Sequence, residues 1–392
     1  MSEKKATIFD ILDFPIGKIS TLGLHSLEIK NFRCFEHLVI EKLGRVNLIV
    51  GKNSVGKTSL LEAIWLMASG ASWPVIHSIL YDRNELVRYN LSAKRAQQEQ
   101  IEAVKSFFNR PPTKTVSASF RIGGKDAGVL EPRVPVHVDD DGKEHYDEKA
   151  THAEQTVIEF ELQHDNAICI KGDPNPGYIE EPEWPDLPKE KELLDDTIAK
   201  SVDDGVVFIP VKGLPWQAQA KYWDEKSPRK DKSILDCLRQ VVPDIEGFRF
   251  KGDKTEDQVR YPAVSTERFP DEVPLAKLGE GAERVLALAL AMSAASYGYL
   301  LIDEFETGLH HSVQASIWQA VFSLAKEWNV QIFATTHSWD CVAAFQEAAA
   351  ESDDDDARLI SLEKTKGGQA IQAQSYNKSL MKAVVEQGIE VR

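Results

Sequence analysis

Several stretches of the chain have the pattern of a strand, either with hydrophobic and polar residues in alternation or with a continuous apolar run, and one stretch has the period of a helix. The strand-like stretches lie within residues 24–42 (two strands and a turn), 46–50, 116–122, 156–162 and 206–210. The helical stretch begins at Lys57, and its apolar residues Leu60, Leu61, Ile64 and Met67 recur on one face. An apolar strand that leads into a helix within a few residues predicts an α/β protein.

Helices and strands are also predicted in the C-terminal half of the chain. The pattern predicts a helix at 233–242, a hairpin within 245–263, a helix from 285 to about 292, and apolar strands at 299–302 and 330–335. Residues 71–115 have a helical pattern with many basic side chains, which form either a solvated face or a surface for a ligand or DNA. Residues 139–144 and 173–190 are polar and are expected to be surface loops.

The segment between the strand at 46–50 and the first helix reads GKNSVGKT, from Gly51 to Thr58. Glycines let backbone N–H groups converge on phosphate oxygens, and the helix N-terminus adds the positive end of its dipole. Lys57 can reach the β- and γ-phosphates, and the Thr58 hydroxyl can bind Mg²⁺. The pattern therefore predicts a phosphate-binding P-loop. Its nucleotide-binding residues are expected to be Gly51, Asn53, Ser54, Val55, Gly56, Lys57, Thr58 and Ser59.

Two carboxylates follow the apolar strand Tyr299–Ile302, as in a Walker B motif. We expect Asp303 to hold Mg²⁺ together with Thr58, and Glu304 to orient and polarise a water that attacks the γ-phosphate. An apolar strand ending in Asp-Glu is common by itself. The P-loop upstream is what favours the functional interpretation.

A histidine and a glycine pair complete the set of candidate site residues. His337 follows the apolar strand at 330–335, where a side chain reaches the ligand crevice of an open α/β sheet and can hydrogen-bond the γ-phosphate. Gly279, Glu280 and Gly281 precede a helix rich in Leu and Ala, and glycines at a helix N-terminus offer backbone N–H groups to an anion.

The composition narrows the possible functions. The chain of 392 residues has a formal net charge of −16, which argues against a surface covered with phosphate-binding Lys and Arg. Its four cysteines follow no CxxC spacing, which favours reduced thiols over a zinc site or disulfides. The N-terminus lacks the apolar core of a signal peptide, and no apolar run approaches the roughly 18 residues of a membrane helix. We therefore expect a cytoplasmic protein that does not associate with membranes.

Five motifs in this order resemble those of the OLD-like and RecF-like ABC-type ATPases, a group with AAA-type domains. They are LEIKNFRCF (Leu27–Phe35), GKNSVGKT, LGEGAER (Leu278–Arg284), LLIDEFETGLHH (Leu300–His311) and ATTHS (Ala334–Ser338). In this resemblance LGEGAER corresponds to the ABC signature and Glu306–His310 to the D-loop. The matching segments cover about residues 24–70 and 230–390.

The resemblance implies an ABC-type head with antiparallel N-terminal strands, a parallel core and an inserted α/β lobe. Residues 1–70 and 231–392 would form the head, and residues 71–230 the lobe, which would hold a partner or sensing surface. ATP with Mg²⁺ would bind between two copies of the chain, so that Gly279, Glu280 and Gly281 of one copy meet the γ-phosphate held by the other. Closure of this dimer would control a partner.

The chain departs from the family in two respects. It shows no convincing Q-loop; Gln155 and Gln163 are weak candidates. It also lacks an acidic nuclease site after His337, so it resembles the separate ATPase subunits of two-component anti-phage systems such as PARIS, whose nuclease is another protein. The leading hypothesis is therefore an ATPase that controls a separate effector in phage defence. The alternatives are a RecF-like DNA clamp, a slow nucleotide-gated scaffold and, least favoured, a transporter ATPase.

Overall fold

A computed structural model describes residues 23–85, 103–109, 118–123, 137–138, 144–145, 158–162, 168–171, 178–179, 197–199, 205–226, 230–252, 260–269, 271–352, 357–365 and 370–387. Gln155, Gln163 and Asp139–Asp141, which the sequence predictions include, lie outside the described residues.

The described residues form both strands and helices, which alternate one for one only between residues 280 and 364. The strands are β1 (Leu27–Phe32), β2 (Phe35–Ile40), β3 (Val46–Gly51), β4 (Ala118–Gly123), β5 (His137–Val138), β6 (Glu144–His145), β7 (Ile158–Leu162), β8 (Ile168–Lys171), β9 (Tyr178–Ile179), β10 (Val206–Ile209), β11 (Ile245–Lys251), β12 (Tyr261–Thr266), β13 (Val273–Pro274), β14 (Tyr299–Ile302), β15 (Gln331–Thr335), β16 (Ala357–Lys364) and β17 (Ile371–Tyr376). The helices are α1 (Lys57–Ala68), α2 (Trp73–Asp82), α3 (Trp216–Lys226), α4 (Asp231–Leu238), α5 (Glu280–Ala294), α6 (His311–Glu327), α7 (Trp339–Glu351) and α8 (Lys378–Glu386).

The core sheet has the strand order β10-β14-β15-β3-β16-β17 in the described residues. Every neighbouring pair is parallel except β16 and β17. Strand β3 is buried along its whole length, which explains why its sequence is apolar without alternation. Because parallel strands end at the same edge of a sheet, the loops after β10, β14, β15 and β3 share one edge.

A second sheet, with the order β2-β1-β4-β7-β8-β9, is antiparallel throughout. Helix α1 lies between the two sheets, where Leu60 and Ile64 share one buried cluster with Ile29 of β1 and Ile49 of β3. Leu48 of β3 faces the opposite side, in the cluster that contains helices α5, α6 and α7. The sheets and helices therefore hold the start of α1 rigidly at the edge of the core sheet.

The predicted α/β class with antiparallel N-terminal strands and a parallel core is confirmed, with the two groups of strands in separate sheets. The helix predicted at 233–242 is shorter, because it ends at Leu238 before Pro243. Helix α3 was not predicted, since its sequence is largely polar. Strand β9 lies in a segment that was expected to be a surface loop.

Strand pairings connect the predicted lobe to the predicted head. Strand β4 pairs with β1, and β10 pairs with β14. The division at residues 70 and 230 stays a prediction. In the part of the chain described here, no helix is both long and apolar enough to cross a bilayer.

Candidate functional site

The loop between β3 and α1 is closely packed against its neighbours. A Cβ atom on Gly51, where φ is +150°, would lie 2.6 Å from the carbonyl oxygen of Leu362. A Cβ atom on Gly56, where φ is +91°, would overlap the Cys34 sulfur. Both positions therefore favour glycine, because a side chain would clash there and the φ angle is one that other residues rarely adopt.

The Lys57 side chain is folded back across this loop. Its Nζ donates to the carbonyl oxygens of Gly51 at 2.7 Å and Lys52 at 3.1 Å. Burial lowers the pKa of Lys57, and the nearby carboxylates of Asp303, Glu304 and Glu306 oppose that shift. The ammonium is thus held at the start of α1, where a phosphate would meet it.

Of the other predicted P-loop residues, some are exposed and some are buried. Asn53 and Ser54 are exposed, whereas the Val55 side chain packs in the core. The Ser59 hydroxyl accepts from Arg83 Nη2 at 3.1 Å, so its side chain serves the packing of α1. Ser59 remains a predicted nucleotide contact through its backbone only.

Thr58 and Asp303, which are 245 positions apart, meet at the edge of the core sheet. Thr58 Oγ1 donates to Asp303 Oδ2 at 2.9 Å. The two oxygens suit Mg²⁺, because adjacent ligands of an octahedral ion with bonds of about 2.1 Å lie roughly 3 Å apart. Two of the residues predicted to hold Mg²⁺ are therefore in contact, and their binding of the ion stays a prediction.

Thr335, at the end of β15, fixes the Walker B residues. Its Oγ1 donates to Asp303 Oδ1 at 2.6 Å and accepts from the backbone N–H of Glu304 at 2.9 Å. The Thr335 side chain is completely buried. Thr335 had no predicted role, although a hydroxyl at the end of an otherwise apolar strand marks it in the sequence.

His337 lies between Lys57 and Glu304. Its Nδ1 is 3.3 Å from Lys57 Nζ and its Nε2 is 3.7 Å from Glu304 Oε1. Because an ammonium can only donate, Nδ1 is the acceptor. The His337 and Glu304 side chains are 39% and 37% exposed, so both can reach a ligand above the P-loop.

Glu306 and Arg284 form hydrogen bonds with the backbone of the candidate site residues. Glu306 Oε1 accepts from the His337 backbone N–H at 2.9 Å. Arg284 Nη2 donates to the carbonyl oxygens of Glu304 at 3.1 Å and Asp303 at 3.4 Å. Burial lowers the pKa of Arg284, and the nearby carboxylates of Glu306, Asp303 and Glu304 oppose that shift. Glu306 belongs to the predicted D-loop and Arg284 to the predicted signature, but neither side chain was predicted to act at this site.

The predicted signature is at an exposed surface. Gly279 has φ +103° and no atom within 4 Å of a Cβ placed on it, and Glu280 is exposed. A Cβ on Gly281 would lie 3.4 Å from the carbonyl oxygen of Gly308, so α5 begins beside the predicted D-loop. No described contact joins Gly279, Glu280 or Gly281 to Lys57.

Two family models match the chain. The model described as "AAA ATPase domain" matches residues 23–167, and the model described as "AAA domain, putative AbiEii toxin, Type IV TA system" matches residues 211–340. Over these two segments the chain is similar to AAA-type ATPase domains. The predicted P-loop residues fall within the first match, and Gly279–Gly281, Asp303, Glu304 and His337 fall within the second.

The chain is also similar to individual proteins and to solved structures. An "ATP/GTP phosphatase" of Helicobacter pylori is 24% identical over 359 residues, which are 84% of this chain and 89% of that protein. The "DNA replication and repair protein RecF" of Clostridioides difficile is 40% identical over 69 residues, which are 18% of this chain and 17% of RecF. A solved SMC head bound to the C-winged helix domain of ScpA aligns with a TM-score of 0.49 at 15% identity, covering 92% of this chain and 98% of that one.

Proposed function

We propose that this chain hydrolyses ATP at the edge of its core sheet, with Mg²⁺ held by Thr58 and Asp303. The observation that carries the proposal is the meeting of Lys57, Thr58, Asp303, Glu304 and His337, which come from three separate parts of the sequence. Mg²⁺ at this position would neutralise charge on the β- and γ-phosphates.

Each side chain has a place in such a reaction. The Lys57 ammonium neutralises phosphate charge, and the P-loop N–H groups hold the phosphates in line. The Glu304 carboxylate, held by Thr335 through its backbone N–H, orients the attacking water and accepts its proton. His337 Nε2 donates to the γ-phosphate, while Nδ1 accepts from Lys57.

The site is completed by a second copy of the chain. The exposed N-terminus of α5, with Gly279, Glu280 and Gly281, presents backbone N–H groups to solvent. A two-fold dimer would place these groups against the γ-phosphate held by the partner. ATP then favours the closed dimer, because it binds that state more tightly than the open one.

The closed dimer would control a separate effector, a nuclease in anti-phage defence. The match of residues 211–340 to a model named for a toxin of a Type IV TA system supports a role in defence. A RecF-like DNA clamp is the second candidate, supported by the RecF identity over 69 residues. The net charge of −16 weighs against it. In both cases the protein would act in the cytoplasm.

The proposal is tested by phosphate release from ATP, measured with Mg²⁺ and with excess EDTA, together with light scattering to determine the mass. We expect Mg²⁺-dependent release and an ATP-dependent rise from one copy to two. Release that is unaffected by EDTA would contradict the proposed metal site. ATP-stimulated DNA binding that weakens steeply with salt would favour the clamp over effector control.

A further inference from the structure

A pocket of about 290 Å³ lies beside α1, away from the P-loop. We call it the aromatic pocket; its main walls are Trp65, Ser78, Tyr81, Phe208, Leu214 and Tyr222. None of the described lining residues belongs to the P-loop, the Walker B motif or the predicted signature. Its volume is close to the lower end of the range for small-molecule sites.

The walls of the aromatic pocket are flat and apolar. The rings of Trp65 and Phe208 stack with centroids 4.9 Å apart and an interplanar angle of 14°. Tyr81 and Tyr222 add two further rings. Aromatic faces favour offset or edge contacts with another ring, so this lining suits a flat aromatic molecule better than a sugar or an aliphatic chain.

Polar groups lie on one side of the pocket. Ser78 Oγ and Thr197 Oγ1 are 2.6 Å apart, and Asp82 forms an ion pair with Lys212 at 2.6 Å. Asp82 is the last residue of α2, where the helix dipole favours a positive charge. The Lys212 side chain is 66% exposed and can turn into solvent, so an amine can take its place beside Asp82.

The aromatic pocket shares a loop with the candidate nucleotide site. Pro210, Lys212, Leu214 and Pro215 line the pocket, and this loop follows β10 at the edge where the candidate site lies. A Cβ placed on Gly213 would lie 3.9 Å from Arg284 Nη1, a buried atom for which the described residues provide no hydrogen-bond acceptor. Arg284 in turn donates to the backbone of Asp303 and Glu304.

We infer that the aromatic pocket binds an arylalkylamine, in which a flat system of one or two fused rings carries an alkylammonium group, and that its occupation changes ATP turnover through the loop at 210–215. The ring lies against Trp65 and Phe208, and the amine donates to Asp82. The effect on turnover rests on the proposed function, whereas binding itself does not.

Binding is tested on the full chain by calorimetric titration with tryptamine, an arylalkylamine of the right size. We expect saturable binding with a Kd on the order of 1 mM or tighter, as is usual for so small a ligand. Ser78→Phe fills the pocket and should weaken binding by at least about tenfold. Ser78→Ala is the matched control, because it removes the same hydroxyl without adding volume, and it should bind nearly as the parent does.

The charge of the ligand is tested in the same titration. Indole-3-acetate, which carries a carboxylate in place of the amine, should bind more weakly than tryptamine, and Asp82→Asn should remove the difference. Equal binding of the two ligands to the parent chain would overturn the amine assignment. Absence of saturable tryptamine binding, or equal binding to Ser78→Phe, would overturn the site.

Coupling is tested by ATP hydrolysis with and without tryptamine. A change of at least about twofold in the parent and Ser78→Ala, but not in Ser78→Phe, is expected. Normal binding without any change in turnover would overturn the coupling, whereas a chain without ATP hydrolysis would instead count against the proposed function. If Ser78→Phe fails to fold, as judged by circular dichroism, Thr197→Phe fills the same space from the neighbouring lining residue.

Discussion

The Thr335 hydroxyl donates to Asp303 Oδ1 at 2.6 Å, which joins the end of β15 to the end of β14. The same oxygen accepts from the Glu304 backbone N–H. One buried hydroxyl therefore orients the proposed metal ligand and positions the proposed base. Glu304 has φ +51°, a conformation that non-glycine residues adopt only when the surroundings hold it.

Thr335→Val should lower both stability and turnover. Valine has nearly the same shape, but it leaves Asp303 Oδ1 and the Glu304 N–H without this partner. We expect a loss of about 1–3 kcal/mol in the free energy of unfolding, measured with urea. Because Thr335 orients a metal ligand, the Mg²⁺ concentration for half-maximal turnover should rise by about 10- to 100-fold.

Thr335→Ser is the control for that substitution, since it keeps the hydroxyl. The serine variant should retain the parent's Mg²⁺ dependence even if packing against the lost methyl group is weaker. If valine and serine shift the Mg²⁺ dependence equally, the hydrogen bond to Asp303 does not position the metal site.

Lys57→Ala should abolish nucleotide binding. The variant removes the ammonium that is buried beside Gly51 and Lys52, so the phosphate charge is left without its partner. We expect the Kd of a fluorescent ATP analogue to rise by at least about 100-fold. Lys52→Ala makes the same charge change in the same loop at an exposed side chain, and it should bind within about threefold of the parent. Equal losses in both variants would mean that only the net charge of the loop matters.

Glu304→Gln should bind ATP and fail to hydrolyse it. The amide cannot accept the proton of the attacking water, so single-turnover rates should fall by about 10² to 10⁴. The closed dimer should then persist with ATP, which light scattering can measure. Glu306→Gln makes the same charge change two residues away and keeps an oxygen for the His337 N–H. Its rate should fall by less than about tenfold; hydrolysis by Glu304→Gln at the parent rate would exclude Glu304 as the base.

The sequence alone predicts the elements whose signals are local. Strand β3, the glycines of the loop and the start of α1 follow from hydrophobic pattern and turn chemistry, and so does the apolar strand before Asp303. Pairings between distant segments do not follow from such signals. Strand β10 is recognisable as a strand, but its place beside β14 depends on tertiary packing.

The same distinction applies to the candidate site. Lys57, Thr58, Asp303, Glu304 and His337 are predictable because each stands at a motif position after a strand. Thr335 and Arg284 are not, because their importance depends on register and on which helix packs behind the sheet. A buried hydroxyl at a strand end is visible in the sequence, but the carboxylate that it contacts is not.

His77 should make stability depend on pH. It is buried in α2, and burial lowers its pKa from the usual 6.5 to about 4. Between these values the unfolded chain binds a proton that the folded chain does not. The stability linked to His77 is therefore complete above pH 6.5 and is lost as the pH falls towards 4.

His77→Phe isolates this contribution from that of the carboxylates. The difference in unfolding free energy between the parent and the variant should change by about 1.4 kcal/mol per pH unit within that window. Urea denaturation at several pH values measures it. A difference that stays constant with pH would show that folding does not depress the pKa of His77.

Mixing two inactive variants tests whether the ATP site is shared between copies. Gly281→Asp places a carboxylate at the start of α5, next to the Gly308 carbonyl, and should repel the γ-phosphate of the partner's ATP. Alone, Gly281→Asp and Glu304→Gln should each be inactive. In a mixed dimer, the Glu304 of one copy meets the intact Gly281 of the other, so one of its two sites has no defect.

The expected recovery follows from counting the dimers. Equal amounts of the two variants give mixed dimers in about half of the population, and each mixed dimer has one working site of two, so turnover should reach about a quarter of the parent's. A site formed within one chain gives no recovery, because every copy carries one defect. Phosphate release from the mixture, compared with each variant alone at the same total concentration, therefore separates a shared site from an independent one.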